Sequence, residues 1–265
     1  MEEEKRAGTP MLLAKRADDA NLTSKHRSLW NCVTVIFARM SQILRAYRTK
    51  PEASQADDTS AIWSERARKF GRRCVYDLSV PEEGFDDITS FQEKELYPLL
   101  RAQISVPPTR VLDYGCGAGR FTVSLRDLTS AEYCLGYDPC PELIEMAVAA
   151  TVDPRTHFLT GTPREFFDRL RFKFDLIWMA TVLGGIRGPE LLKLADDLAS
   201  ALASRGLLFF AENTAPENPE NNFWQSRPEA WYEKLFGERG VPIERVGSYL
   251  SCGNQVSIFA GRKSS

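Results

Sequence analysis

The residues with the clearest chemical potential surround a glycine-rich turn. Asp113 precedes Gly115, Gly117 and Gly119, and Arg120 follows directly. Glycines let the backbone turn sharply and come close to a ligand, and a helix that starts behind them offers unpaired N–H groups to acceptor atoms. Because the apolar residues before Asp113 predict a buried strand, the stretch is expected to form a strand, a loop and a helix start. This arrangement is typical of a nucleotide-type site.

The spacing of the glycines favours one kind of nucleotide ligand. A dinucleotide fingerprint is G-x-G-x-x-G, whereas here the third glycine comes one residue early and Arg120 follows it. The stretch resembles motif I of the class I S-adenosylmethionine (SAM) methyltransferases, whose pattern is acidic-x-G-x-G-x-G. The resemblance implies SAM as cofactor, with Asp113 meeting the methionine ammonium while the loop and Arg120 meet the carboxylate.

A second acidic residue follows at the spacing that such a site needs. The segment Glu132 to Asp138 predicts a strand that ends in Asp138-Pro139, 19 residues after Gly119. A carboxylate at the tip of the neighbouring strand can accept hydrogen bonds from ribose hydroxyls. Asp138 could instead cap the helix that begins near Pro141, and the two roles need not exclude each other.

Further cofactor contacts are implied by position in the resembled family. Gly161 and Thr162 follow the third predicted strand and resemble the segment that meets the adenine edge. Met179 and Ala180, at the end of the fourth strand, are expected to line the cofactor near its ribose and methionine. Methyltransferases commonly place a preceding helix as a lid, so Trp63 is a candidate lid residue, with hydrophobic packing as the alternative.

Methyl transfer from a sulfonium needs little acid–base machinery when the acceptor is already a good nucleophile, because positioning supplies much of the acceleration. The two histidines, His26 and His157, are not expected at the site. Glu212 and Asn213, at the end of the fifth predicted strand, are the predicted catalytic pair that holds the acceptor. Glu212 could equally cap the N–H groups of a loop.

The polar segment 213–228 is the predicted substrate cover. A loop of this length is often functional, and it carries two aromatic residues and one cation suited to holding an acceptor. These predicted substrate-binding residues are Phe223, Trp224 and Arg227.

The predicted reaction is methylation of an oxygen or nitrogen atom of a small molecule. The chain also resembles the protein alpha-N-terminal methyltransferases through Ile177-Trp178, the turn 181–184, the pair Glu212-Asn213 and the arginine after the third glycine. However, Gly185 stands where that family's catalytic histidine would lie, so peptide methylation ranks second. A non-catalytic SAM-fold scaffold is a third possibility, which the intact glycine loop argues against.

Strands and helices alternate from Arg110 onward, which predicts a parallel sheet with helices on both faces. The chain ends in a hairpin pattern, which in the resembled family adds an antiparallel strand. We therefore predict an α/β fold with a doubly wound, mostly parallel seven-stranded sheet and an N-terminal helical extension. The predicted strands are 110–114, 132–138, 156–160, 174–180, 206–212, 243–250 and 255–261, and the predicted helices between them are 119–129, 141–151, 163–171, 188–204 and 228–238.

Composition limits the partners. The chain has 265 residues and a formal net charge of -2, but residues 1–50 carry ten Lys/Arg against five Asp/Glu, which leaves -7 for the remainder. An acidic domain makes nucleic acid an unlikely partner. The six cysteines include no C-x-x-C pair, so no metal site is expected. We expect the cysteines to be reduced thiols in a cytoplasmic protein.

Three regions are expected along the chain. Residues 1–22 form a predicted disordered leader, residues 23–58 an amphipathic helix (Ser24 to Tyr47) with a linker, and residues 59–265 the SAM-dependent methyltransferase domain. The helix is expected to pack on its own domain or to self-associate into a homo-oligomer. Peripheral binding to an anionic membrane is the alternative, and no signal peptide is predicted.

Overall fold

A seven-stranded sheet forms the centre of the described part of the chain. The computed structural model describes residues 58–78, 81–214 and 224–265. The strands are β1 (Arg110–Tyr114), β2 (Tyr133–Tyr137), β3 (Thr156–Leu159), β4 (Phe174–Ala180), β5 (Leu202–Asn213), β6 (Ile243–Ser251) and β7 (Asn254–Arg262). Their order is β3-β2-β1-β4-β5-β7-β6. The first five strands pair in parallel, and β7 runs antiparallel to both β5 and β6.

Seven α-helices lie in the described part of the chain, most of them between strands. They are α1 (Asp58–Phe70), α2 (Phe85–Gln103), α3 (Thr122–Thr129), α4 (Pro141–Ala150), α5 (Pro163–Arg169), α6 (Gly188–Ala201) and α7 (Glu229–Gly237). Short 3-10 turns occupy Gly71–Val75, Glu82–Gly84 and Leu183–Gly185.

Apolar residues cover both faces of the sheet. On one face, Trp178 of β4 stacks on Phe209 of β5 with ring centroids 5.3 Å apart, and Tyr97 from α2 meets Trp178 edge-on. On the opposite face, Tyr137 of β2 stacks on Phe166 of α5 with centroids 4.2 Å apart. A parallel sheet buried on both faces needs strands that are apolar almost throughout, which the burial of β1, β2 and β4 shows. The predicted doubly wound fold is confirmed.

The glycine-rich turn moves the helix start beyond the predicted residue 119. Gly115, Gly117 and Gly119 have φ of +74°, +56° and +77°, a left-handed conformation that glycine adopts at little cost and that no α-helix continues. The helix α3 therefore begins at Thr122. The turn itself is as tight as its sequence predicts.

The fifth strand begins four residues earlier than predicted, at Leu202. Leu202 pairs with Phe174, but the register shifts before Leu207 pairs with Leu176. Arg205, inside this irregular stretch, has a φ of +59°. The helix α6 consequently ends at Ala201 rather than at residue 204, because the pattern of small and apolar residues there serves a distorted strand instead.

The last two strands form the predicted hairpin. Its two central turn residues, Cys252 and Gly253, have φ of +48° and +77°. Positive φ at both positions is the mark of a type I′ turn, which matches the twist of the flanking strands. The hairpin places β7 in the sheet beside β5.

The predictions for the N-terminal region lie outside the described residues. These are the leader 1–22, the helix Ser24 to Tyr47 and its self-association or membrane contact, and they stay predictions. Among the helices that the structure describes, none is long and apolar enough to cross a membrane.

Candidate functional site

A cavity of about 290 Å³ opens beyond the carboxyl ends of β1, β2 and β4. This is where open parallel sheets bind ligands, and the volume is at the lower end of the ~300–1,000 Å³ typical of small-molecule sites. Residues from the glycine loop, from the tips of β2 and β4, from α1 and from α6 line it. They include Trp63, Val75, Asp113, Gly115, Gly117, Arg120, Asp138, Pro139, Thr162, Val182, Gly185, Ile186 and Trp224.

The glycine loop is held between two neighbours that leave no space for side chains. A Cβ on Gly115 would lie 2.5 Å from Val182 Cγ2, and a Cβ on Gly117 would lie 3.0 Å from Val75 Cγ1. The N–H groups of Gly115 and Cys116 both donate to the carbonyl of Tyr137, at 2.7 and 3.0 Å. The loop is therefore closely packed where it borders the cavity.

Gly119 differs from the other two glycines because it does not line the cavity. A Cβ there would lie 2.9 Å from Phe158 Cε1 and 3.0 Å from Ala147 Cβ. The residue thus allows α4 and β3 to pack closely against the loop. Its predicted contact with the cofactor is replaced by this packing role.

Asp113 lies at the end of β1 and is 2% exposed. Its Oδ2 accepts a hydrogen bond of 2.7 Å from the Thr122 hydroxyl. Burial raises the pKa of Asp113 to about 7, against the opposing effects of the Thr122 bond and the Arg120 charge. A cationic ligand group in the cavity would favour the ionised form of this carboxyl.

Arg120 reaches the cavity from the start of α3. Its guanidinium lies 4.1 Å from the centroid of the Phe121 ring and donates to Gln92 Oε1. Gln92 is held by a 3.1 Å hydrogen bond from its Nε2 to the hydroxyl of Tyr249. Burial lowers the pKa of Arg120 to about 10, so the side chain remains a cation at neutral pH.

Asp138 joins the glycine loop to the start of α4. Its Oδ2 accepts from Gly117 N at 3.0 Å and its Oδ1 from Cys140 N at 2.9 Å. Burial raises its pKa to about 6. The carboxylate bonds the backbone directly before α4, whose N-cap is Cys140, without acting as the predicted cap, and it lines the cavity together with Pro139.

The tip of β3 contributes Thr162 but not Gly161. Thr162 is the N-cap of α5, where its hydroxyl accepts from Glu165 N and its own N–H donates to the Glu165 carboxylate. Gly161 has a φ of +138°, and its carbonyl accepts a 2.8 Å hydrogen bond from the Tyr137 hydroxyl. Only Thr162 lines the cavity.

Met179 is not at the cavity. It is fully buried, and the residue after it, Ala180, lines the cavity instead. Successive side chains of a strand point to opposite faces, and Met179 pairs with Phe210 in the covered part of the sheet. Of the two residues predicted to line the cofactor, Ala180 therefore lines the cavity and Met179 does not.

Glu212 is fully buried beneath the turn that follows β4. Its Oε1 accepts from the N–H groups of Val182 and Leu183, both at 2.6 Å, and its Oε2 from that of Gly184 at 3.3 Å. Burial raises its pKa to about 7. Glu212 caps loop N–H groups, as the structural alternative predicts, and it does not line the cavity.

Arg227 is 6% exposed and binds the same turn through carbonyl groups. It donates to the carbonyls of Leu183 at 3.0 Å and Ile186 at 2.8 Å. Asn213 accepts a 3.3 Å hydrogen bond from the Ser226 hydroxyl. Neither Arg227 nor Asn213 lines the cavity, so the structure places both away from the acceptor position that their prediction requires.

Two tryptophans wall the cavity beside the turn 183–185. A Cβ on Gly184 would lie 2.2 Å from Trp224 Cε2. A Cβ on Gly185 would lie 3.4 Å from Trp224 Cζ3 and 3.9 Å from Trp63 Cζ2. Trp63 and Trp224 therefore both line the cavity close to Gly185, and their predicted roles stay predictions, whereas Phe223 lies outside the described residues.

Sequence reasoning missed the contribution of α6. Glu190, Lys193, Leu194 and Asp197 line the cavity, and Lys193 Nζ binds the Asp197 carboxylate at 2.8 and 2.9 Å. Their spacing of three and four residues is that of one helix face. This periodicity, beginning directly after the tip of β4, was the available signal.

Comparison with known proteins identifies the family. Residues 61–240 match the model of a methyltransferase domain. The chain belongs to the class I S-adenosylmethionine-dependent methyltransferases. The predicted enzyme class and methyl donor are thereby confirmed. A comparison of its sequence with curated proteins found no match.

Solved structures share its fold at low sequence identity. The N-methyltransferase NodS from Bradyrhizobium japonicum, in complex with S-adenosylhomocysteine, is 20% identical, with a TM-score of 0.61 over 79% of this chain and 100% of its own. Magnesium protoporphyrin IX methyltransferase from Synechocystis with bound SAM is 20% identical, with a TM-score of 0.58 over 80% and 100%. Human N-acetylserotonin methyltransferase is 15% identical, with a TM-score of 0.57 over 86% and 66%.

The residues around the cavity suit the chemistry of SAM. The ligand carries an ammonium, a carboxylate and two ribose hydroxyls, and the cavity presents two carboxylates, Asp113 and Asp138, and the Arg120 cation. Positions 115 and 117 are crowded and have positive φ, so glycine fits there best and backbone borders the cavity. Both the donor set and the space therefore fit the cofactor.

Proposed function

We propose that this methyltransferase moves the methyl group of SAM to a nitrogen or oxygen atom of a small molecule. The observation that carries the proposal is the arrangement of Asp113, Arg120 and Asp138 around one cavity that Trp63 and Trp224 close at another side. The charged residues are suited to the cofactor, and the aromatic wall is suited to a compact organic acceptor. SAM supplies a methyl group that its positive sulfur activates for displacement.

Each cofactor contact follows from the position of a side chain. Asp138, at the tip of β2, is assigned to the ribose hydroxyls, and Arg120 to the methionine carboxylate. Asp113 is assigned to the methionine ammonium, and Thr162 to the adenine edge. Gly117 is assigned to close backbone approach because its φ of +56° and its 3.0 Å limit toward Val75 exclude a side chain.

The catalytic work of the protein is then positioning. In-line attack requires that the acceptor atom and the methyl carbon are held in contact and in line, and water must be kept out. The turn 182–186 borders the cavity, and Glu212 and Arg227 fix its backbone through hydrogen bonds. We therefore reassign these two residues from acceptor binding to support of the wall.

A small-molecule acceptor also agrees with two of the similar structures, whose names specify magnesium protoporphyrin IX and N-acetylserotonin as the molecules methylated by those proteins. Methylation of peptide amino groups remains the second candidate, as it does from the sequence. All five described cysteines are free thiols. Free thiols are typical of the reducing cytoplasm, which agrees with the predicted location. Self-association remains a prediction.

The function is tested by calorimetry with SAM followed by an assay for S-adenosylhomocysteine formation on a panel of small amines, heterocycles and phenols. Binding of SAM with turnover of at least one small molecule is the expected result. Absence of SAM binding by the folded protein contradicts the proposal, and so does exclusive methylation of peptides with a free alpha-amino group.

A further inference from the structure

Resting on the proposed small-molecule methyl transfer, we infer that the acceptor is a flat, uncharged nitrogen heteroaromatic whose ring lone pair attacks the methyl group directly. The inference combines two features of the cavity: its aromatic wall, and the state of each titratable side chain that lines it.

The aromatic wall comes from two separate parts of the chain. Trp63 belongs to α1, and Trp224 precedes α7. Both indole rings approach within 4 Å of one point, the Cβ position of Gly185, at 3.9 and 3.4 Å. Because Gly185 has no side chain, these ring carbons border the cavity there. Flat aromatic molecules bind well against such surfaces.

The two most buried carboxylates that line the cavity already have partners. Asp113 is 2% exposed and accepts from the Thr122 hydroxyl. Asp138 accepts from the N–H groups of Gly117 and Cys140, one on each oxygen. Both belong to the proposed cofactor contacts. Neither is therefore placed to remove a proton from an acceptor.

The other titratable groups of the described lining are no better suited to act as a base, and burial raises the pKa of Tyr114, which therefore stays protonated. Asp197 binds the ammonium of Lys193 through both oxygens. Burial raises the pKa of the Cys116 thiol well above its usual range, so it stays protonated. Glu190 is exposed in the first turn of α6, where water competes for its oxygens. Among the described residues that line the cavity there is no histidine.

A site with these properties favours an acceptor that loses no proton. Alcohols, phenols and ammonium groups must each give up a proton before or during methylation. A neutral ring nitrogen with an in-plane lone pair does not. Its lone pair forms the new C–N bond while the methyl–sulfur bond breaks, and the electrons of that bond remain on sulfur.

Charge and atoms balance in this step without a base. The products are neutral-sulfur S-adenosylhomocysteine and an N-methylated heteroaromatic cation, and no proton is released. The positive charge moves from sulfur to the ring that lies against the tryptophans. Indole faces attract a cation within about 6 Å of their centroids. The Arg66 guanidinium lies 5.6 Å from the centroid of the Trp63 ring, and the inference assigns the cavity side of the two indoles to the charge that develops on the acceptor.

The test uses the full-length protein, SAM and two matched pairs of acceptors of nearly equal size: isoquinoline with 2-naphthol, and 3-methylpyridine with 3-methylphenol. Products are identified by mass, and proton release is followed with an indicator in weak buffer. We expect kcat/KM for the nitrogen member of each pair to exceed that of the phenol at least tenfold, with no proton released per turnover.

Two variants separate ring stacking from bulk. Trp63→Phe keeps an aromatic face, whereas Trp63→Leu keeps only apolar volume. We expect the leucine variant to lower kcat/KM for isoquinoline by about tenfold and the phenylalanine variant by less. Equal losses in the two variants would contradict a role for the aromatic face.

The outcomes distinguish the inference from the proposed function. A folded protein that does not bind SAM overturns both. Preference for the phenols, release of one proton per turnover, or SAM binding without methylation of either nitrogen heterocycle overturns the inference alone.

Discussion

Glu212 and Arg227 bind the same turn through complementary backbone groups, Glu212 through N–H groups and Arg227 through carbonyl groups. Glu212 accepts hydrogen bonds from three successive N–H groups of the turn, those of residues 182–184, while Arg227 donates to the carbonyls of Leu183 and Ile186. Hydrogen bonds to charged side chains are about twice as strong as neutral ones. The turn that borders the cavity is therefore held by two residues that do not line the cavity themselves.

Glu212→Gln tests the cost of this arrangement through pH. Burial raises the pKa of Glu212 from its ordinary value of 4.5 to about 7. Between these values the folded state binds more protons than the unfolded state, so Glu212 lowers the stability of the protein as pH rises from about 4.5 to about 7. Glutamine does not titrate, and the variant should lose less melting temperature over that window than the wild type.

Thermal unfolding between pH 4.5 and 8 measures this effect. Glu244→Gln, on the exposed surface of β6, is the matched control and should follow the wild-type profile. Asp113 and Asp138 also have raised pKa values, so a pH dependence remains in the variant. An unchanged profile in Glu212→Gln would show that its carboxyl titrates normally.

Substitution by alanine should destabilise the protein at one of the two adjacent glycines in the turn and be tolerated at the other. In Gly184→Ala the new Cβ would lie 2.2 Å from Trp224 Cε2, which no real contact allows, whereas in Gly185→Ala the nearest atom is at 3.4 Å. We expect Gly184→Ala to displace Trp224, to lower activity at least tenfold and to cost about 1–3 kcal/mol of stability. Gly185→Ala should fold with wild-type stability.

Tryptophan fluorescence and chemical unfolding distinguish the two variants. A shift in emission confined to Gly184→Ala would report movement of Trp224. Equal behaviour of the two variants would mean that the turn relaxes and that its contact with the tryptophan is not rigid.

The sequence predicted those elements whose signal is local. The glycine loop, the strand that leads into it and Asp138 at the next strand tip follow from spacing alone, because turn geometry and strand order constrain them. The strand β5 was predicted too short, since its first residues belong to a distorted stretch that only pairing with β4 defines.

Residue roles that depend on three-dimensional partners were harder to predict. Glu212 and Arg227 are polar residues near a strand end, which is also where catalytic residues are found, and only their bonds to the turn reveal their function. Met179 and Ala180 were both assigned to the cavity, although only Ala180 lines it, because a strand buried on both faces shows no alternation in the sequence that would tell the two apart.

Asp138→Asn and Asp138→Ala should weaken SAM binding to different extents. Asparagine keeps one oxygen acceptor for Gly117 N or for a ribose hydroxyl, whereas alanine removes both. We expect the affinity to fall by about 10- to 100-fold in the alanine variant and less in the asparagine variant. Calorimetry measures the affinity, and Asp87→Ala on the exposed surface of α2 serves as control.

A melting temperature measured without ligand shows whether these effects belong to the site. Asp138 also accepts from Cys140 N at the start of α4, so some loss of stability is expected in the alanine variant. Full SAM affinity in a folded Asp138→Ala protein would remove the proposed ribose contact.

Arg120→Ala should weaken binding only of ligands that carry the methionine carboxylate. The guanidinium is held in the cavity by Gln92, which is 1% exposed and fixed in turn by Tyr249, so the cation is prepositioned rather than mobile. A charge-assisted hydrogen bond lost from such a site costs about 1.5–3 kcal/mol, or roughly 10- to 150-fold in affinity.

The contrast is between SAM and decarboxylated SAM, measured by calorimetry on the wild type and the variant. We expect SAM to lose affinity in the variant and decarboxylated SAM to keep the affinity that it has for the wild type. Gln92→Leu, which frees the guanidinium without removing it, should give a smaller loss for SAM alone. Equal losses for both ligands in Arg120→Ala would show that the arginine supports the fold of the loop and does not contact the carboxylate.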